Sequence, residues 1–333
     1  VSLPLHEAGM VHKIVYCRGR LPRRLTSIVI FWWTLWRDPQ RDILTDTAWW
    51  IGLVAWLSAR VFRRRYVLRL RGDASAELKQ QNKSWHLRFF LNRLLPDAAG
   101  IIPVSRYVAD RLTQQAPPLP EQKVKIIPTP QVVWTEGLPF AERRRILLIV
   151  TSFRLASKLK RLQAYLPAID RLLSFDPELK VSIAGSGFLL EKFKRAVDEL
   201  KNSERIVLPG YVENVYELYP SSLALLHVSD LDAYPSVINE ARACGLPVMV
   251  SDTVGLSEQV VDGEDGIILR DEPDALTKAW NLVSGESEWM RLSRAGRERV
   301  IREHSHAVIG RQFVDALEEM LGRCGCKNSF CSR

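Results

Sequence analysis

Two acids stand eight positions apart, Asp232 and Glu240, in the run DAYPSVINEARACGLPVMVSD (232–252). Between them, Pro235 and Ser236 read as the start of a short helix, because proline's missing N–H loses no bond in a first turn. Gly245 closes that helix and PVMVSD follows as a strand. A helix start presents free amide N–H groups and the positive end of its dipole, which suits an anionic diphosphate. Ser236 and Glu240, four apart, share one helix face. Glu240 is therefore expected beside the helix tip and Asp232 on the loop that enters it. Carboxylates accept charge-assisted hydrogen bonds from sugar hydroxyls. With no Cys or His set for a metal, the pair suits a hydroxyl-rich ligand as well as acid–base work. The expected ligand is a sugar nucleotide.

The elements that must hold this site alternate between short β-rich runs and helical stretches, the pattern of parallel α/β units. In the first half the expected strands are 11–17, 42–46, 66–70, 98–104 and 124–128, with helices near 24–37, 48–62, 84–95 and 105–115. TPQVVWTEGLPFAERRR (129–145) reads as a linker. A second set begins with the strand RILLIVTSF, a helix to Phe175 and the strand KVSIAGSG, whose Gly185 and Gly187 let backbone approach a nucleotide. A helix over 188–202, strands RIVLPGYV and LALLHVS, the short helix 235–245 and helices near 287–302 and 306–322 complete the set. The fold class expected is α/β: two Rossmann-like, doubly wound parallel-sheet domains facing a cleft, with ligands at the carboxyl ends of the strands. The expected domains are 1–140 and 141–305, with a terminal helix 306–322 returning to the first domain and a tail 323–333. His227 reads as a packed strand residue, and His304 and His306 as surface residues.

Composition narrows the partners. At 333 residues and 47% apolar content the chain is an ordinary globular protein, with a large core and room for two domains. Five cysteines without a regular framework point to a reducing compartment, and Cys324, Cys326 and Cys331 crowd a tail that lacks a fourth metal ligand. The start lacks a charged leader followed by an apolar run, and AWWIGLVAWL (48–57) falls short of the roughly 20 residues that span a bilayer. Residues 1–145 hold 24 of the 47 Lys and Arg, only 11 of the 38 Asp and Glu, and eight of the ten Trp. Basic charge with aromatic rings suits an anionic surface. No nucleic-acid reader motif accompanies it, so nucleic acid is not the expected partner. RRLTSIVIFWWTLWR (23–37) has two readings, a core helix or a segment dipping into a bilayer interface.

The run from Asp232 onward resembles the signature of the retaining nucleotide-sugar glycosyltransferases of family 4, which have the GT-B fold. That signature is a Glu-x7-Glu pair, an EA-x-A-x-G-x-PV segment, a Gly-x-x-Glu loop and an Asp-Gly-x-x-Gly turn. Here the pieces are Asp232, Glu240, Ala241, Ala243, Gly245, Pro247, Val248, Gly255, Glu258, Asp262, Gly263 and Gly266. The resemblance covers about 146–320 strongly and 11–130 loosely. It implies that Asp232 contacts the transferred sugar and Glu240 the ribose hydroxyls. Backbone amides of Tyr234, Pro235, Ser236 and Val237 would serve sugar and phosphate (the proline only by its position), and Glu258 would shape the donor pocket. A basic pair on the diphosphate maps to Arg154 and Lys160, with Lys158 a rival, and the base-reading loop to Tyr211 and Val212.

Three departures stand beside the match. Asp232 is one methylene shorter than the usual Glu. Arg71 occupies the position of a family histidine, and with Asp73 it reads either as a cleft-edge group or as a surface pair. The family's first strand and Gly-Gly loop have no counterpart ahead of 11–17, which reads as a truncated start. The implied activity is a metal-independent retaining transfer of a sugar from a nucleotide-diphosphate donor to a hydroxyl of a glycan or lipid-linked acceptor. No cofactor is implied, since the nucleotide sugar is a substrate. The expected location is cytoplasmic, with peripheral contact at the cytoplasmic face of the membrane. Alternatives are an epimerase or hydrolase of the same fold, or a non-catalytic membrane-surface protein derived from a transferase.

Overall fold

The computed structural model describes residues 31–322, with gaps at 34, 39–41, 47–48, 81–82, 134–136, 155, 231, 254, 271 and 273. The expected strand 11–17 and the tail cysteines lie outside the described residues, as does most of the expected helix 24–37. The chain divides into two compact units, Val1–Pro130 with His306–Arg333, and Gln131–Ser305.

The first unit holds a parallel sheet in the order β1 (Ile43–Asp46), β2 (Tyr66–Leu70), β3 (Gly100–Pro103). Helix α1 (Trp49–Phe62) joins β1 to β2. From β2 the chain runs through α2 (Ala74–Gln80), α3 (Ser84–Phe89) and a wider π turn at Phe90–Leu94 to reach β3. α4 (Arg106–Thr113) follows, capped by Ser105, whose hydroxyl accepts from the Val108 amide. The expected strand 124–128 shrinks to one bridge, Ile101 with Val124, and two amide bonds onto β3. Pro128 and Pro130 lack the N–H groups that would extend the ladder.

The second unit is a six-stranded parallel sheet in the order β6 (Ile206–Gly210), β5 (Lys180–Ala184), β4 (Ile146–Val150), β7 (Ala224–His227), β8 (Val248–Ser251), β9 (Ile267–Leu269). The central strands β4, β7 and β8 are buried on both faces, so they read as unbroken apolar runs. Leu147 and Ile149 point to one face, under α5 (Ala156–Phe175), α6 (Leu190–Asp198) and α8 (Ala275–Val283). Leu148, Val150 and Leu225 point to the other, under α7 (Ser236–Ala243). Each fully buried Leu or Ile contributes about 1.5–3 kcal/mol, and these two apolar layers hold the sheet rigid beneath its loops. α9 (Glu286–His304) packs against α7, with Ser293 donating to the Gly245 carbonyl, and α10 (His306–Met320) lays Ile309, Phe313 and Leu317 on Val67, Ile102 and Ile127 of the first unit.

The segment read as a linker is anchored from Gln131 onward. The Gln131 amide donates to the His304 carbonyl and the Gly137 amide to that of Cys244. Arg143 is buried, donating to the carbonyls of Leu138, Tyr219 and Ser222 at 2.8–3.1 Å and reaching those of Cys244 and Gly245. Its guanidinium also lies over the Trp289 ring. One cation thus satisfies carbonyls left by the end of α7 and by the turn before β7.

Candidate functional site

Strand order places the site. From β4 the chain steps outward through β5 and β6, then returns to the other side of β4 for β7, β8 and β9. The loops after β4 and β7 therefore diverge at the middle of the sheet, and such a switch point opens a crevice at the carboxyl ends of the strands. The loop after β4 carries Arg154, and α5 behind it carries Lys160. The loop after β7 carries Asp232 and runs into α7.

Both acids are steadied by buried side chains. His227 ends β7, buried, with Nε2 3.0 Å from Asp232 Oδ2. Strand alternation puts its ring on the α7 face, like Leu225. The packed-residue reading of His227 is right, and the residue also orients Asp232. The fully buried Tyr219 donates its phenol to Glu240 Oε2 at 2.9 Å. Burial, then the Glu240 charge, holds that phenol far above the usual tyrosine range, so it keeps the proton that it donates to Glu240. Glu240 is half-buried.

Around the acids the loops lock together. Thr253 Oγ1 donates to the Ser229 carbonyl and the Ser229 amide to Ser251 Oγ. Gly255, at φ +97°, packs so closely that a Cβ would sit 2.3 Å from the Asp232 carbonyl oxygen. Ser236 and Val237 open α7, half-buried, behind buried Pro235, and no side chain caps the first turn. Tyr234 points its ring away from the tip. Its hydroxyl accepts from Asn239 at 3.2 Å and lies 3.4 Å from His304 Nδ1, and burial pushes its pKa up to about 12. Beneath it lies a buried ionic network: Arg242 and Arg299 both donate to Asp265 Oδ2, and Arg242 also donates to the Gln259 carbonyl. Glu258 is exposed on the turn 255–259.

Arg154 and Lys160 are exposed, and the Lys158 side chain lies outside the description. Arg161, which sequence reasoning passed over, is the cation that reaches the β7 loop, with Nε 3.5 Å from Asp230. Gly185 and Gly187, at φ +153° and +154°, meet protein rather than open space. A Cβ would lie 1.9 Å from the Thr151 carbonyl oxygen in the first case and 2.3 Å from the Phe153 carbonyl carbon in the second. These glycines are needed so that the β5 loop can clasp the β4 loop that carries Arg154. Tyr211 is exposed beyond β6, and Val212 follows it.

The comparisons agree with this layout. Residues 134–299 match the family model described as Glycosyl transferases group 1. The chain belongs to the group 1 glycosyltransferases. It is 25% identical over 183 residues to the N-acetyl-alpha-D-glucosaminyl L-malate synthase of Bacillus anthracis, covering 54% of this chain and 47% of that protein. The chain thus matches about half the length of that curated relative. Its fold resembles the sucrose-phosphate synthase of Thermosynechococcus elongatus, with a TM-score of 0.75 at 18% identity over 92% of this chain and 80% of the other. It also resembles Anabaena Alr3699/HepE, solved with UDP and glucose, with a TM-score of 0.70 at 16% identity over 90% and 83% of the two chains. The two-unit parallel α/β architecture is the GT-B fold.

Within this glycosyltransferase two expectations need correction. His304 is buried, because α9 ends under Tyr234; burial and then the Arg242 charge push its pKa down to about 4. Asp73 is buried too, taken up by Ser75 at 2.8 Å and Arg111 at 3.2 Å, rather than lying on the surface. Arg71 is exposed at the end of β2. The supporting groups Tyr219 and Arg161 were missed because nothing in their local sequence marks them; only the fold brings Tyr219 to Glu240 and Arg161 to Asp230. Among the described residues, no three His, Cys, Asp or Glu side chains gather as a metal site, and no helix is long and apolar enough to cross a membrane.

Proposed function

We propose that this glycosyltransferase takes a hexose from a nucleotide-diphosphate donor and passes it, with retention, to a hydroxyl of a glycan or lipid-linked acceptor. The observation that carries the reading is the pair of pinned acids flanking the α7 start at the β4–β7 switch point. An uncapped helix start offers N–H groups to a diphosphate, and Arg154, on the loop after β4, and Lys160, on α5, would add their charges. As the bond from the sugar carbon to the diphosphate breaks, negative charge grows on the departing oxygen. Fixed N–H groups and cations stabilise that charge with no metal required. Asp232, held by His227, would accept from hydroxyls of the transferred sugar, and Glu240, held by Tyr219, from the ribose. The acceptor oxygen would attack from the face that the diphosphate leaves, passing its proton to a departing phosphate oxygen. No protein nucleophile enters that scheme. Anabaena Alr3699/HepE, solved with UDP and glucose, supports a nucleotide-sugar donor by analogy of fold.

The test is a thermal-shift panel of nucleotide sugars, followed by acceptor-dependent release of nucleoside diphosphate and NMR assignment of the product anomer. One donor should raise the melting temperature. Asp232→Asn and Glu240→Gln should each lower kcat/KM on the order of a hundredfold or more. Release at the same rate without acceptor, or an inverted anomer, would overturn the reading.

A further inference from the structure

The first unit leaves large aromatic side chains at its surface that the transfer chemistry does not use. Residues 31–33 and 35–37 are helical, and Trp32 fixes that helix on α1. Its indole N–H donates to Ser58 Oγ at 2.9 Å, and its ring meets Phe62 edge-on at 5.9 Å. With Trp32 turned inward, Trp33 and Trp36 face outward, Trp36 with 72% of its surface exposed. The Arg37 guanidinium lies over the Trp33 ring at 4.6 Å. On α1, Leu57, Arg60 and Val61 form one exposed stripe at the i, i+3, i+4 spacing.

The pattern continues onto α3. Arg60 lies over Trp56 at 4.5 Å, Trp56 meets Phe89 edge-on at 5.0 Å, and Trp85, 64% exposed, stacks on Phe89. Arg60 and Arg65 are offset by Asp97 and Asp42. Arg93 adds its charge to that of Arg60 beside Asp97, whereas Arg63 and Arg88 are exposed with no carboxylate partner among the described residues. Monomeric surfaces rarely leave such a run of apolar groups facing water without a use for it.

We infer that this face docks on an anionic bilayer surface, its tryptophans at headgroup depth and its arginines on lipid phosphates. Trp and Arg are the side chains suited to that boundary, each with a flat apolar body and a polar or charged edge. RNA would engage the arginines and stack on the rings, but would leave Leu57 and Val61 in water, whereas a bilayer accepts both. Each unpaired arginine near an anionic surface strengthens binding by roughly fivefold. A lipid-linked acceptor would then be met where the enzyme already sits. The docking is read from the first unit alone and does not depend on the transfer reaction.

The test uses the full chain and two kinds of vesicle, phosphatidylcholine alone and phosphatidylcholine mixed with phosphatidylglycerol. Co-sedimentation should be strong only with the mixed vesicles and should weaken with salt. W36S with W85S should lower the affinity on the order of tenfold or more. R63Q with R88Q should lower it by roughly twenty-five-fold. Brominated lipids in the mixed vesicles should quench wild-type tryptophan emission, a readout that stands even where a variant does not fold. Equal binding to both vesicles, no quenching, variants that bind and melt like the wild type, or a single-stranded RNA oligomer held more tightly than the mixed vesicles would each overturn the inference.

Discussion

Acidification should loosen the second unit through one histidine. His304 sits buried at the end of α9, with Nδ1 facing the Tyr234 hydroxyl, and burial followed by the Arg242 charge pushes its pKa from 6.5 down to about 4. The folded protein thus keeps the ring neutral while the unfolded chain takes a proton near pH 6.5. Folding stability from this group is complete above pH 6.5, falls as pH drops through the window, and is gone below about pH 4. A gap of about 2.5 pH units at 1.36 kcal/mol each amounts to about 3 kcal/mol. The assay is urea unfolding of the wild type and His304→Gln at steps between about pH 7 and about pH 4. Every carboxylate that titrates in this range is common to both proteins, so the difference between the two curves isolates the imidazole. The wild type should lose about 3 kcal/mol more than the variant across the window. Parallel curves would refute the reasoning, because they would mean that His304 charges as readily in the folded protein as outside it.

Three further substitutions probe the site's supports. Gly187→Ala forces a Cβ to within 2.3 Å of the Phe153 backbone at φ +154°; it should cost roughly 1–3 kcal/mol in unfolding experiments and weaken donor binding by displacing Arg154. Asp265→Asn removes the charge shared by Arg242 and Arg299 and leaves a fully buried guanidinium uncompensated, so about 3–5 kcal/mol of stability should go, read by denaturant titration. Tyr219→Phe deletes one hydroxyl and keeps the packing. Since water can partly replace the lost donor at half-buried Glu240, kcat/KM should fall by about tenfold, the low end for a bond to a charged group, with melting temperature little changed.

How much of this was legible follows from what each residue answers to. Five of the six strands of the second unit announced themselves as short apolar runs, whereas β9, only three residues long, did not stand out from the turn before it. The short helix after Pro235 was legible from its proline start and glycine end. Its two acids fell where that helix required, on the loop and on the helix face. Arg143 was read as part of a linker because a cation among Pro, Gly and Glu looks solvated; the carbonyls that bury it come from residues 219–245, far along the chain. His304 misled for the same reason, since its burial depends on Tyr234 and Arg242 arriving from elsewhere. Gly185 and Gly187 were recognised as a close-approach turn, but the backbone they approach belongs to the β4 loop. The partners of the acids sit close by on either side of β7, His227 five residues before Asp232 and Tyr219 ahead of the strand, but which side chain turns toward which acid is not encoded in spacing alone.

The burial of Arg143 also bears on where this protein can be cut. Anyone excising the second unit at the first residue of β4 would strip away a guanidinium that closes off five main-chain oxygens, and with it the stacking partner of Trp289. The natural seam lies fifteen residues earlier, at Gln131, whose amide is already fastened to the far end of α9. A fragment trimmed to its visible strands would carry raw edges; one that keeps the unassuming stretch ahead of them brings its own clasp.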